Sequence, residues 1–116
     1  MNFLQGRANG GNLEMPGGTV IRLFGGLPPA LAGREIWVGV RPEHLDICPE
    51  ADAAFVAEVE MIEQLGADTL AHCSLAGGMI VARLPLGSEA KAGDRLPLRQ
   101  QTGQLHFFDG ASGARL

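Results

Sequence analysis

The stretch WVGVRPEHLDI, residues 37–47, decides how this chain is read. Its first half, with Ile36 in front, is short, apolar and β-branched, which suits a strand buried on both faces or set in a closed barrel. Gly39 inside that run predicts a bulge or a close backbone approach. Trp37, lying in the most apolar strand, is expected nearer the core than any surface contact. The second half, Arg41-Pro42-Glu43-His44, stops the strand, because Pro42 has no N–H for a ladder and pushes Arg41 toward an extended conformation. Arg41 and Glu43 are then free to bond neighbouring backbone or each other, so by physics the cluster reads as a structural corner before it reads as a site.

Working outward, the same punctuation recurs along the chain. Asn12–Met15 and Thr19–Leu23 flank Pro16-Gly17-Gly18 and read as a first hairpin. The two prolines in 25–33 make that stretch a loop. Phe55–Leu65 alternates as a long strand, with Phe55, Ala57, Val59, Met61 and Glu63 on one side and Val56, Glu58, Glu60 and Ile62 on the other. Thr69–Leu75 and Met79–Leu84 are joined by Ala76-Gly77-Gly78, the strongest hairpin signal present. Asp94–Arg99 and Gln104–Phe108 are the last strands, separated by Gln101-Thr102-Gly103. About seven short strands with regular turn signals, and no helix of normal length required, give an all-β fold of barrel or sandwich type. The length of 116 residues suits one unit, 1–116.

Composition narrows the function. Apolar residues make up 46% and charged residues 19%, as in an ordinary folded domain. Net charge is −4, Lys91 is the only lysine, and aromatic residues are 5% with no Tyr. A phosphate-tracking face with stacking aromatics is therefore not to be expected, which argues against nucleic acid as a partner. No apolar run approaches the roughly 20 residues of a membrane span. Residues 1–6 lack the features of a secretory signal, and Cys48 and Cys73 are read as reduced thiols.

Candidate chemistry is thin. No Gly-x-x-x-x-Gly-Lys-Ser/Thr run exists to cradle phosphates, so ATP hydrolysis by this chain alone is not expected. His44, Cys48, His72 and Cys73 are zinc-type ligands, but His72 and Cys73 are adjacent in a strand and should point to opposite faces, and no Cys-x-x-Cys pair supports them. No metal is expected. Glu58, Glu60 and Glu63 lack a neighbouring nucleophile and read as the solvated side of a strand. No catalytic residues are assigned.

A family resemblance adds what spacing does not supply. Val38-Gly39-Val40-Arg41-Pro42-Glu43-His44-Leu45 resembles the Gly-Ile-Arg-Pro-Glu-His-Leu signature of the C-terminal regulatory (TOBE, OB-like) domain of ABC importer ATP-binding subunits of the maltose and glycerol-3-phosphate type. Met1–Leu4, Glu63–Thr69, Leu105–Asp109 and Gly113–Leu116 agree in order, so the resemblance covers essentially the whole chain. Leu65–His72 and Gln104–Gly110 resemble the sn-glycerol-3-phosphate branch most.

The resemblance implies an OB-like β-barrel. It also implies a fragment of a longer subunit, with Met1 internal and with ATP and magnesium bound in the ATPase domain rather than here. Gly39, Arg41, Pro42, Glu43 and His44 are then signature and corner residues. The implied partners are a second copy of the subunit, the transmembrane permease subunits reached through the ATPase domain, and an inhibitory regulatory protein. The implied location is the cytoplasmic face of the cell membrane, within the transporter. A related alternative is a small-ligand or oxyanion-sensing barrel, as in molybdate importers.

Overall fold

The computed structural model describes residues 1–24 and 26–116; Gly25, at the start of the loop expected over 25–33, lies outside the described residues. Among the described residues ten strands follow one another: β1 Asn2–Asn9, β2 Asn12–Glu14, β3 Val20–Arg22, β4 Glu35–Val40, β5 Leu45–Ile47, β6 Phe55–Leu65, β7 Asp68–Leu75, β8 Gly78–Leu84, β9 Arg95–Gln100 and β10 His106–Asp109. Short 3₁₀ turns at Pro29–Leu31, Pro42–His44 and Glu50–Asp52 are the helical pieces. The strands form two five-stranded sheets, ordered β10-β4-β1-β2-β3 and β5-β9-β6-β7-β8, and all named pairings are antiparallel. The all-β, OB-like expectation holds.

Each sheet gives one face to a shared core. Ile36, Val38 and Val40 point inward from β4, Ala71, Cys73 and Leu75 from β7, and Ile80, Ala82 and Leu84 from β8. Full burial of a side chain such as Leu98 or Val38 contributes about 1.5–3 kcal/mol, so this shared row structure holds the sheets together. Polar groups close the seams between them. Arg22 N–H donates to the Ala54 carbonyl at 3.1 Å, and Gln100 Nε2 donates to the Arg22 carbonyl at 3.3 Å. On the opposite seam, Asn2 at the start of β1 reaches the edge of β8.

Two expectations need correction. Trp37 is not nearer the core: it is half-buried on the outer face of β4, beside the half-exposed Phe3 and the ring of Phe108, while the core row is Ile36, Val38 and Val40. Met61 does not share a side with Phe55, Ala57 and Val59, because the β6–β7 register shifts between Val59 and Met61 and turns Met61 outward. One extra residue in a strand reverses the facing of everything beyond it. The last two strands, separated by a turn as expected, lie in different sheets: β9 pairs with β5 and β6, and β10 crosses to lie alongside β4.

The β7–β8 hairpin forms as expected, with a tighter loop. Ala76 and Gly77 both have positive φ, 50° and 81°, and Gly78 already belongs to β8 opposite Leu75. This is the primed two-residue turn whose twist matches the flanking strands.

Candidate functional site: the Arg41–His44 corner

β4 runs regularly to Val40, and the corner follows at once. Arg41 is extended at φ −76°, ψ 148°, and Pro42 occupies the first position of the 3₁₀ turn, where its missing N–H costs nothing. His44 N–H donates to the Arg41 carbonyl at 2.9 Å, Leu45 N–H returns to Pro42, and β5 begins. The chain thereby passes from one sheet to the other within four residues.

Gln101 fixes that passage from outside. Its backbone N–H donates to the His44 carbonyl at 2.9 Å, and its Nε2 donates to the Glu43 carbonyl at 3.3 Å and to Asp46 Oδ1 at 3.2 Å. Sequence reasoning treated Gln101 only as a turn residue, and nothing in its local pattern shows that it spans back to the corner. The Arg41 and Glu43 side chains make no ion pair with each other among the described residues.

Glu43 is held below the usual carboxylate range, first by its own backbone N–H and then by the charges of His44, Arg41 and Arg83. It therefore stays anionic. Beside it a solvent-open groove of about 400 Å³ runs between β5 and β8, lined by Glu43, Asp46, Ile47, Arg83 and Leu84. His44 does not line this groove; its Nδ1 is enclosed and has no hydrogen-bond partner among the described residues.

Gly39 sits in regular pairing, opposite Phe3 on β1 and His106 on β10, with no bulge. Close approach explains it: a Cβ there would come 2.5 Å from Met1 Sδ and 3.2 Å from Phe108 Cε2. Phe3 and Phe108 meet edge to face across it, with centroids 5.8 Å apart.

The zinc-type residues are dispersed. Cys73 is fully buried in the core, where burial first and Glu60 second push its thiol to about 11. His72, the residue before it, faces outward with Nε2 3.0 Å from Glu63 Oε1. Cys48 is half-buried beyond β5, and burial, with Asp52 next, raises its thiol as well. Among the described residues, no three His, Cys, Asp or Glu side chains are grouped to hold a metal. Glu58 and Glu60 are exposed. The corner holds no hydroxyl or thiol nucleophile, so its geometry directs the chain and presents a surface.

Comparison with known proteins fits that geometry. A family model described as the TOBE domain matches residues 38–108, from the core row of β4 through the corner to β10. This chain belongs to the TOBE domain family. A second model, described as the MalK OB fold domain, matches residues 1–45 and so covers the first sheet up to the corner. The TOBE chain is 41% identical over 105 residues to the sn-glycerol-3-phosphate import ATP-binding protein UgpC of Cupriavidus pinatubonensis, covering 90% of this chain and 28% of that protein. It is 39% identical to the protein of the same name from Shigella sonnei, and 38% identical to that from Escherichia coli K12. Both of those alignments take in 100% of this chain and 33% of the relative. The chain thus spans about a third of the length of the curated relatives it matches.

Proposed function

We propose that this TOBE barrel is the regulatory and dimerising domain of the ATP-binding subunit of an ABC importer, and that the importer carries sn-glycerol-3-phosphate. The observation that carries the reading is the similarity to the three import ATP-binding proteins, which takes in 90–100% of this chain. In this reading the chain performs no chemistry. ATP and magnesium are bound in the ATPase part of the parent subunit, which sits on the cytoplasmic side of the membrane and engages the permease subunits.

The barrel's contribution is geometric. Its corner and seams are tied by short backbone and amide contacts, which suits a body that keeps its shape while attached ATPase domains open and close. Its surfaces then serve a second copy of the subunit and an inhibitory regulatory protein.

The test is made on the natural full-length protein. Purified parent should hydrolyse ATP with magnesium, and deletion of this segment should leave hydrolysis in the ATPase part while weakening subunit pairing. A parent without ATPase activity, or one whose pairing is unaffected by the deletion, would refute the proposal.

A further inference from the structure

Among the described residues two that are not glycine have positive φ: Ala76, in the β7–β8 turn, and Phe24, at 41°. A bulky side chain adopts the left-handed region only where its surroundings hold it there. Phe24 lies in the turn after β3, where Gly26 N–H donates back to the Leu23 carbonyl at 2.8 Å. Leu23 is buried at that point, whereas the Phe24 ring comes out at the seam between the sheets, 37% exposed. Arg22 Cζ, from β3, lies 5.2 Å from the ring centroid, and Arg99 Cζ, from β9, lies 4.1 Å from it. One ring thereby carries a guanidinium from each sheet.

The charge of these two side chains is left uncompensated. Arg7, Arg34, Arg83 and Arg95 each pair with a carboxylate, whereas Arg22 and Arg99 pair with none among the described residues. Asp46 stands opposite Arg99 in the β5–β9 register, but its Oδ1 accepts from Gln101 Nε2 at 3.2 Å. Arg22 Nη2 donates to the Ala51 carbonyl at 3.1 Å, which fixes that head without neutralising it. Beside the ring is a cavity of about 70 Å³, lined by Leu23, Phe24, Gln100, Thr102 and Leu105, with room for a small aliphatic group. Arginine and aromatic side chains beside a slot are the parts from which the strongest contacts of protein interfaces are built. Holding both arginines on one ring also reduces the ordering entropy that binding costs.

We propose that Arg22, Phe24 and Arg99 form a docking site for an acidic segment of a partner protein, with a carboxylate on each guanidinium and a small aliphatic side chain in the adjoining cavity. Charge complementarity selects this occupant. A guanidinium fork matches a carboxylate through two parallel hydrogen bonds, and two forks on one ring ask for two carboxylates on one chain. A single small anion answers one fork. A nucleic acid strand would bring many phosphates to a chain of net charge −4. The site stands on the barrel's own geometry and does not depend on which importer the parent serves.

Fluorescence anisotropy of a labelled peptide carrying two Glu on each side of one Val is the test, at low ionic strength, where exposed charges are least screened. Melting curves confirm that each variant is folded. The expected result is saturable binding to this chain that weakens as salt is added. Arg22→Gln and Arg99→Gln should each weaken it about tenfold, and the double variant should abolish it. Phe24→Leu, which keeps an apolar side chain but removes the ring, should weaken it as well. A peptide with Gln in place of every Glu should not bind. The proposal is overturned if the native chain leaves the acidic peptide free, if the folded double variant binds it like the native chain, or if the Gln peptide binds equally well. Displacement of the peptide by inorganic phosphate at matched ionic strength would make this a small-anion site, and tighter binding of a uridine homopolymer than of the peptide would make it a nucleic acid site. Either result also overturns the proposal.

Discussion

Asn2 uses both polar atoms of its side chain on one residue of the other sheet: Nδ2 donates to the Val81 carbonyl at 2.7 Å, and Oδ1 accepts from the Val81 N–H at 2.7 Å. A side-chain amide thereby stands in for a neighbouring strand at the edge of β8. It satisfies two backbone groups that the seam would otherwise leave without a protein partner. Asn2 is only 8% exposed, so the pair is well shielded from water.

Replacing Asn2 by Ala should cost about 1–3 kcal/mol, the penalty for leaving buried partners unmet. Asn2→Asp should also destabilise, since it keeps the acceptor for Val81 N–H but sets a carboxylate against the Val81 carbonyl. Urea unfolding gives the energies, and amide exchange at Val81 should accelerate in both variants. Native-like protection at Val81 in folded Asn2→Ala would show that the seam does not depend on this amide.

Gly39→Val should destabilise by about 1–3 kcal/mol through overpacking, because any Cβ at this position meets Met1 Sδ and the Phe108 ring. Met1 is a flexible side chain and can move aside, whereas the ring is held in the edge-to-face pair with Phe3. Gly39→Ala should therefore lose less than Gly39→Val. Equal melting temperatures for the native chain and the Val variant would contradict the close-approach explanation.

Asp109 governs acid behaviour at the end of the chain. Hydrogen bonds from the Ser112 backbone and hydroxyl, then Arg34 and the Ala111 N–H, lower its carboxyl from 3.8 to about 2. The folded-state value lies below the unfolded one, so the stabilisation is fully present above about 3.8 and is lost as pH falls through about 2. Asp109→Asn should lower the melting temperature at pH 6 and flatten its decline between these two values. An unchanged acid limb would show that this turn does not contribute.

The two cysteines should differ in reactivity. Both thiols are raised, but Cys73 lies at 0% exposure in the core while Cys48 is only partly covered. With a thiolate-selective alkylating agent at pH 8, Cys48 should be modified first, and Cys73 only at the rate at which the core opens. Mass spectrometry of peptides taken along the time course reads the order directly.

How far the sequence spoke follows from what each strand places in the core. β4, β7 and β8 were legible because β-branched or apolar residues recur on their inner faces and glycines mark the turn between β7 and β8. β1 was not, since its inward row is Asn2, Leu4, Gly6 and Ala8, which carries almost no apolar alternation. Gly6 is needed there because a side chain would collide with the Glu14 carbonyl of β2. The bulge in β6 was invisible because Glu60 resembles the exposed glutamates around it. At the corner, Pro42 announced the chain reversal, but the contacts that hold it come from Gln101, 55 residues beyond Asp46. Local pattern reports propensity and facing; it does not report which distant polar group a buried carbonyl will find.

The role proposed for this barrel, in sn-glycerol-3-phosphate import, is tested most directly by uptake of radiolabelled sn-glycerol-3-phosphate by intact cells. Cells lacking the gene that encodes the parent protein should lose ATP-dependent uptake of this substrate and regain it when the full-length gene is returned. Undiminished sn-glycerol-3-phosphate uptake in the deletion strain, in a background with no second carrier for it, would contradict the account.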